Sequence, residues 1–162
     1  MRLSTRGRYA LRAMIDLALH TNGPVLRSDI AERQEISAHY TEQLFVKLRR
    51  AGLIESVRGP GGGYILAKSA DQIRAGDIIR TVEGPIALVH CVAPQQETAC
   101  HRVDGCVTHL LWKRLSDKVA EVLDSVTLED LCNQAHELEE PLGDRSCDPH
   151  SSRDLKHTPG GE

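Results

Sequence analysis

Residues 28–67, SDIAERQEISAHYTEQLFVKLRRAGLIESVRGPGGGYILA, decide the fold. Ser28 and Ser37 can each cap a helix, which predicts a short helix, SDIAERQ, and a longer one, SAHYTEQLFVKLRRAG, that stops at Gly52. Only QEI joins the two, and so tight a connection is typical of a helix-turn-helix. The pattern then changes to two short β-compatible runs, LIESV and YILA, around the glycine-rich turn RGPGGG. We therefore predict a helix-turn-helix followed by a β-hairpin.

Another helix precedes this stretch. Ser4 or Thr5 can cap it, and the breaker residues Asn22, Gly23 and Pro24 end it. Apolar residues recur at helical spacing in both long helices; they are Tyr9, Ala10, Ala13, Met14, Leu17 and Ala18 in the first, and Leu44, Phe45 and Leu48 in the third. Three helices followed by a hairpin describe a winged helix-turn-helix, so we predict a mainly α fold with a small β-hairpin.

Charge divides the chain into two unlike parts. The net charge is −3, but residues 1–68 carry 11 Lys and Arg against 6 Asp and Glu, whereas residues 69–162 carry 9 against 17. The first part therefore has a charge of +5 and the second a charge of −8. The positive charge of the first part indicates binding to a polyanion. The alternative interpretation is a basic face that contacts only solvent. Together with the order of the elements, the charge favours a domain that binds double-stranded operator DNA.

A recognition helix enters the major groove by its N-terminal end, so the candidate base contacts are Ser37, His39, Tyr40, Glu42 and Gln43. Gln43 can bond to adenine and Glu42 can accept from cytosine N4, although Glu42 can equally be a surface charge that pairs with a neighbour. Arg58, at the start of the glycine-rich turn, suits a minor groove. The candidate phosphate contacts, which set affinity without selecting sequence, are Arg2, Arg6, Arg8, Lys47, Arg49 and Arg50.

The chain beyond residue 68 predicts three more helices. Residues 69–83 indicate a turn and a helix, which would complete a DNA-binding domain over 1–83. From Thr108 to Val126 apolar residues keep helical spacing for nearly five turns, at Leu111, Leu115, Val119, Val122 and Val126. Nothing after this helix is large enough to cover its apolar stripe, so we predict that it packs against a second subunit.

Thr127 and Asp130 indicate a capping box that starts a last short helix, TLEDLCNQA. We accordingly assign residues 108–136 to dimerisation helices and residues 137–162, which lack periodicity, to a disordered tail. The N-terminal helix contains Arg12 and Asp16 and no run of about 20 apolar residues, so we expect neither a signal peptide nor a membrane partner. A cytoplasmic location is the consequence.

Residues 84–107 form a loop that holds Cys91, Cys100 and Cys106, and the sequence HCVAPQQETACHRVDGCVTHLLW (90–112) also contains three histidines. In a reducing compartment such a polar loop indicates metal binding or redox chemistry rather than disulfides. Three cysteines and one histidine suit either a zinc site or an iron-sulfur cluster. Without a CxxC pair or a substrate pocket an enzyme is not favoured. Cys132 is expected to be a small buried residue, and Cys147 an incidental thiol in the tail.

Four segments, MRLSTRGRYALRAMIDLAL, YTEQLFVKLRRAGL, SVRGPGGGYIL and CVTHLLWKRLSD, resemble a family of dimeric winged-helix regulators of bacteria that bind iron-sulfur clusters. The resemblance covers residues 1 to about 135. It implies a homodimer that holds one 2Fe-2S cluster per subunit and changes its DNA preference with cluster occupancy. By position, the ligands would be Cys91, Cys100, Cys106 and His109.

The same resemblance implies a role in controlling genes for iron-sulfur cluster assembly, with scaffold proteins of that assembly as further partners. It places the DNA contacts at Ser37, His39, Tyr40, Glu42, Gln43, Arg58 and Gly59. Two features differ from the family: eight residues separate Cys91 from Cys100, a longer gap than usual, and His39 stands where a serine is common. The alternatives are a zinc-binding winged-helix factor and a nitric-oxide or redox-sensing repressor of the same family. In a branch of that last kind a carboxylate ligand stands where this chain has Arg8.

Overall fold

The computed structural model describes residues 4–93, 100 and 102–139, and it shows the predicted mainly helical fold with a two-stranded β-hairpin. In chain order the elements are α1 (Thr5–Leu19), α2 (Arg27–Arg33), α3 (Ala38–Arg50), β1 (Ile54–Val57), β2 (Gly63–Leu66), α4 (Ala75–Glu83), α5 (Val107–Ser125) and α6 (Leu128–Glu139). Short 3-10 turns occur at Ala70–Gln72, His90–Val92 and Val103–Gly105.

Serine caps set the start of two of the first three helices. Ser4 accepts a hydrogen bond from the Arg6 backbone N–H at the start of α1, and Ser37 accepts one from Tyr40 at the start of α3, as predicted. The predicted cap at Ser28 is wrong, because α2 begins one residue earlier and Ser28 lies inside its first turn, donating to Asp29. At that end the Leu26 carbonyl accepts from two backbone N–H groups instead.

The core lies where α1, α3 and α4 meet, and α6 closes it. Its largest fully buried side chains include Met14 of α1 and Phe45 of α3, and the predicted apolar face of Leu44, Phe45 and Leu48 is confirmed. From the chain beyond the hairpin, α4 contributes Ile78 and Val82, and α6 contributes Leu128. The polar outer faces and the buried apolar faces of these helices thus agree with the spacing in the sequence.

Backbone hydrogen bonds fix α6 to the start of α4. The Leu128 N–H donates to the Ile73 carbonyl at 2.7 Å, and the Ala75 N–H donates to the Val126 carbonyl at 2.9 Å. Thr127 and Asp130 form the predicted capping box. The predicted burial of Cys132 is confirmed, and burial raises the pKa of its thiol. The helix continues to Glu139, four residues beyond the short helix that the sequence predicts.

The hairpin pairs β1 and β2 in antiparallel register from Ile54↔Leu66 to Val57↔Gly63. Its turn needs glycine, since Gly59 has a φ of 102° and a Cβ on Gly62 would clash with the Val57 carbonyl oxygen. On the other edge, Val25 exchanges two backbone hydrogen bonds with Tyr64, at 2.9 and 2.8 Å. The chain that precedes α2 is therefore attached to the hairpin.

Of the described residues of α5, Ser116 is the one that is buried. The exposed apolar side chains of α5 are Val107, Leu110, Leu111, Trp112, Leu115 and Val122. The helix begins one residue before the predicted Thr108 and ends before Val126. Within the part of the chain that the structure describes, no helix is long and apolar enough to cross a membrane.

Candidate nucleic-acid interface and metal-ligand segment

The N-terminal end of α3 presents most of its predicted base contacts to solvent. His39, Glu42 and Gln43 are exposed and lie three and four residues apart, on the side of the helix away from the core. Ser37 is exposed but its hydroxyl serves as the helix cap. Tyr40 is half-buried, and its ring packs edge-on against Tyr9 of α1 with 5.9 Å between centroids.

Two polar pairs order this surface. Gln43 Nε2 lies 3.0 Å from His39 Nε2, so the amide can donate to the ring nitrogen. Glu42 Oε2 lies 2.6 Å from Nη1 of Arg27, the first residue of α2, and this guanidinium holds the pKa of Glu42 below its usual value. Glu42 thus has the charged neighbour that is expected if it is a surface charge of the helix. Sequence reasoning missed Arg27, since it placed the start of α2 at Ser28.

The hairpin wing carries Arg58 at its tip. Arg58 follows β1 directly, and both it and Gly59 are exposed. A groove of about 440 Å³ runs between the start of α2 and the wing, lined by Leu26, Arg27 and Ser28 on one side and by residues of the wing on the other. The wing turn and the recognition helix therefore flank the first residues of α2.

The candidate phosphate contacts divide into two groups. Arg8, Arg49 and Arg50 are exposed, and the first two make long hydrogen bonds, to Thr5 at 3.3 Å and to Ser56 at 3.4 Å. Arg6 and Lys47 both donate to the Val82 carbonyl, at 3.3 and 3.2 Å, at the C-terminal end of α4. Arg2 lies outside the described residues.

A buried carboxylate fixes α2 against α1. Asp16 is 2% exposed and accepts hydrogen bonds from Arg33 Nε at 3.0 Å and from Gln34 Nε2 at 2.9 Å. The hydrogen bond to Asp16 raises the pKa of Arg33. The sequence contains a signal for this contact, because Asp16 interrupts the apolar pattern of the first helix, but it does not indicate the partner.

The structure places two of the four predicted metal ligands at one helix start. Cys106 is the N-cap residue of α5 and His109 lies in its first turn. Cys91 is in the turn His90–Val92, and Cys100 is exposed. Among residues 4–93, 100 and 102–139, no three His, Cys, Asp or Glu side chains lie close enough together to hold a metal ion. Residues 94–99 and His101, in the same segment, lie outside the described residues.

The chemistry of Cys106 and His109 suits metal ligation. The Cys106 sulfur lies 3.1 Å from the Thr108 hydroxyl, and this hydrogen bond, aided by backbone N–H groups of α5, lowers the pKa of the thiol. The Nδ1 atom of His109 is buried and has no hydrogen-bond partner among the described residues. A thiol biased toward thiolate and a buried ring nitrogen without a partner fit a metal centre completed by the other two cysteines.

A helix-turn-helix with an exposed second helix, followed by a β-hairpin wing, defines a winged-helix DNA-binding protein. Residues 3–134 match the Rrf2 family, described as iron-dependent transcriptional regulators. The chain belongs to this family. It is accordingly a DNA-binding transcriptional regulator and not an enzyme, and the family resemblance found in the sequence is confirmed.

Several similar curated proteins are named HTH-type transcriptional regulator IscR. The one from Pectobacterium carotovorum subsp. carotovorum is 44% identical over 99% of this chain and 93% of its own length. Among solved structures, T. potens IscR is 42% identical with a TM-score of 0.72, covering 88% of this chain and 94% of that one. CymR, the global cysteine regulator of B. subtilis, is 47% identical with a TM-score of 0.68, covering 83% and 98%.

Proposed function

We propose that this chain is a homodimeric regulator whose DNA preference depends on a 2Fe-2S cluster, and that it controls genes of iron-sulfur cluster assembly. The proposed ligands are Cys91, Cys100, Cys106 and His109. The observation that carries the proposal is the buried Nδ1 of His109, which has no hydrogen-bond partner among the described residues and lies one turn from the Cys106 thiol. The family description as an iron-dependent regulator and the shared name of the relatives support an iron cofactor.

The ligand set explains how such a centre can act as a switch. A bound cluster supplies a group that can be oxidised, reduced or lost as conditions change. His109 contributes a neutral ligand in place of a thiolate, which lowers the negative charge of the site and makes its release sensitive to pH. Because Cys106 and His109 begin α5, a cluster held by them would act directly on that helix.

We further propose that α5 dimerises through its apolar stripe. Val107, Leu110, Leu111 and Val122 are each more than half exposed, which is unusual for a helix of a folded chain unless a partner covers it. A second copy of α5 offers a complementary surface. A regulator of this kind works where the chromosome is, in the cytoplasm, and scaffold proteins of cluster assembly are its expected source of clusters.

The proposed DNA surface joins the start of α3 to the wing. Its base contacts are Ser37, His39, Tyr40, Glu42 and Gln43 in the major groove, with Arg58 and Gly59 in the minor groove. Arg8, Arg49 and Arg50 are proposed phosphate contacts, and so is Arg2, which lies outside the described residues. To contact phosphate, Arg6 and Lys47 would have to break or share their hydrogen bonds to the Val82 carbonyl.

The direct test compares the cluster-loaded and cluster-free forms of the full chain. Protein purified without oxygen should be coloured, contain iron and acid-labile sulfide, and sediment at twice the mass of one chain. Its affinity for at least one duplex enriched from a randomised pool should change when the cluster is removed by a chelator. Identical binding by both forms would leave a regulator without a cluster switch.

The zinc alternative has its own outcome in this test. A colourless preparation with one zinc per chain and no sulfide would assign the three cysteines and His109 to a tetrahedral site instead. The nitric-oxide or redox-sensing alternative predicts a response of the loaded protein to those agents. Arg8, an exposed cation on α1, cannot supply the carboxylate ligand of the nitric-oxide-sensing branch.

Replacing Arg58 with alanine should weaken specific DNA binding by about 1–3 kcal/mol, the usual range for a base-contacting arginine. The loss should be largest on duplexes with an A·T-rich minor groove opposite the wing, because a narrow groove attracts a guanidinium. Fluorescence anisotropy at fixed salt measures it. Lys68→Ala is the control, since Lys68 is an exposed cation that lines a cleft beside His20. Equal losses in the two variants would show that Arg58 contributes only charge.

A further inference from the structure

Arg27 occupies a position between the two candidate DNA-contacting elements. It is the first residue of α2, and its guanidinium spans to α3, where Nη1 lies 2.6 Å from Glu42 Oε2 and 3.5 Å from the Ala38 carbonyl oxygen. It also lines the groove between α2 and the wing. The side chain is one-third exposed, so it is ordered by these contacts but still reachable.

Glu42 is an anion on a surface that must approach phosphates. Its side chain is 58% exposed and shares the outer face of α3 with His39 and Gln43. A carboxylate there is repelled by DNA unless a cation or a base donor compensates it. Arg27 supplies that compensation in the free protein, because it is the cation in direct contact with Glu42 among the described residues.

We propose that Arg27 is a specificity-determining positioning residue, which controls how strongly Glu42 selects the base that faces it. With Arg27 in place, the charge of Glu42 is compensated, and the side chain tolerates a facing guanine or thymine, neither of which offers an amino group in the major groove. Without Arg27, the uncompensated carboxylate accepts only from a base that donates in the major groove, which is cytosine through N4 or adenine through N6. This inference rests on the proposed placement of α3 in the major groove.

The consequence is a change of sequence preference rather than a uniform loss of affinity. In Arg27→Met, binding to duplexes with guanine or thymine facing Glu42 should weaken by about tenfold, and binding to duplexes with cytosine or adenine much less, because the repelled carboxylate regains a partner only in the second case. In Arg27→Met/Glu42→Gln, the carboxylate is gone and the two kinds of duplex should differ little from their Glu42→Gln values. Arg27→Lys, which keeps the charge, should restore most of the wild-type tolerance.

The experiment uses the full-length loaded protein and a panel of duplexes. A duplex enriched by the wild-type protein from a randomised pool is varied at each base pair, and affinities are measured for wild type, Arg27→Met, Glu42→Gln and the double variant. The position at which Glu42→Gln changes the preference identifies the base opposite Glu42. Lys68→Met removes one positive charge elsewhere and should lower the affinity for every duplex by the same factor, if at all.

Two results would overturn the inference. If Arg27→Met weakens binding by the same factor on every duplex, whether or not Glu42→Gln is also present, and lowers the salt dependence by about one phosphate, Arg27 is a plain phosphate contact. If Arg27→Met lowers the midpoint of thermal unfolding together with the DNA affinity, and Arg27→Lys does not restore the affinity, Arg27 has only a structural role. If the wild-type protein enriches no duplex at all, the proposed function itself fails, which is a different result from both.

Discussion

Replacing Phe45 with alanine is expected to lower the free energy of unfolding by about 3–5 kcal/mol, the usual cost of removing a buried aromatic ring. Phe45 is fully buried on α3, and its ring contacts Tyr64 of β2 edge-on, with 4.8 Å between centroids. The loss combines removed apolar contact with a cavity between the recognition helix and the wing. Urea denaturation, compared at one protein concentration because the chain is proposed to dimerise, measures the change.

Val46→Ala provides the matched control for this prediction. Val46 is the next residue of α3 but is 36% exposed, so its truncation should change the free energy of unfolding by no more than about 0.5 kcal/mol. Phe45→Leu should fall between the two, because it keeps most of the volume. If Phe45→Ala and Val46→Ala were equally stable, the contact between α3 and the wing would not hold these elements together.

The sequence predicts the winged helix-turn-helix well because its signals are local. Ser4 and Ser37 cap helices through hydrogen bonds two or three residues away, and Gly59 and Gly62 are needed within a single turn. Apolar spacing in α3 depends only on the helical period and on one large core. These features need no knowledge of distant residues, so a single sequence contains them.

The sequence does not predict contacts between distant residues. The sequence predicts Lys47 and Arg6 as cations that contact phosphate. Both instead donate to the Val82 carbonyl, which lies 35 and 76 residues away along the chain. The sequence predicts the start of α2 one residue too late, because Ser28 is a typical helix cap. The backbone hydrogen bonds to the Leu26 carbonyl, which cap the helix instead, leave no pattern in the sequence. This difference of one residue matters, because it leaves Arg27 outside the predicted helix and its ion pair with Glu42 unpredicted.

The proposed metal ligands show the same limit in another form. Residue types and the spacing of Cys106 and His109 predict which side chains can bind a metal, and the structure brings these two to the start of α5. Spacing does not determine whether Cys91 and Cys100 lie near these two, because a separation of eight residues along the chain fixes no distance in space. Identity of the ligands is therefore easier to predict than their geometry, and variants test it directly.

Replacing Cys106 with alanine should remove iron and acid-labile sulfide from the purified protein and abolish any difference in DNA binding between reconstituted and chelated samples. The variant loses the thiol whose pKa is lowered by Thr108 at the start of α5, so the proposed set of four ligands is incomplete. His109→Ala should weaken retention of the cluster but leave three thiolates. Iron and sulfide analysis, absorption spectra and anisotropy on the same enriched duplex measure these effects.

Cys132→Ala is the matched control, since it removes a thiol of the same kind that is buried on α6 among the core residues. It should keep iron, sulfide and the response of DNA binding to chelation, and lose only stability through a small cavity. Iron retained in Cys106→Ala at the wild-type level would exclude Cys106 as a ligand. Iron lost equally from Cys106→Ala and Cys132→Ala would instead indicate that the cluster is lost with the fold, because Cys132 contributes to the core and not to the segment around α5.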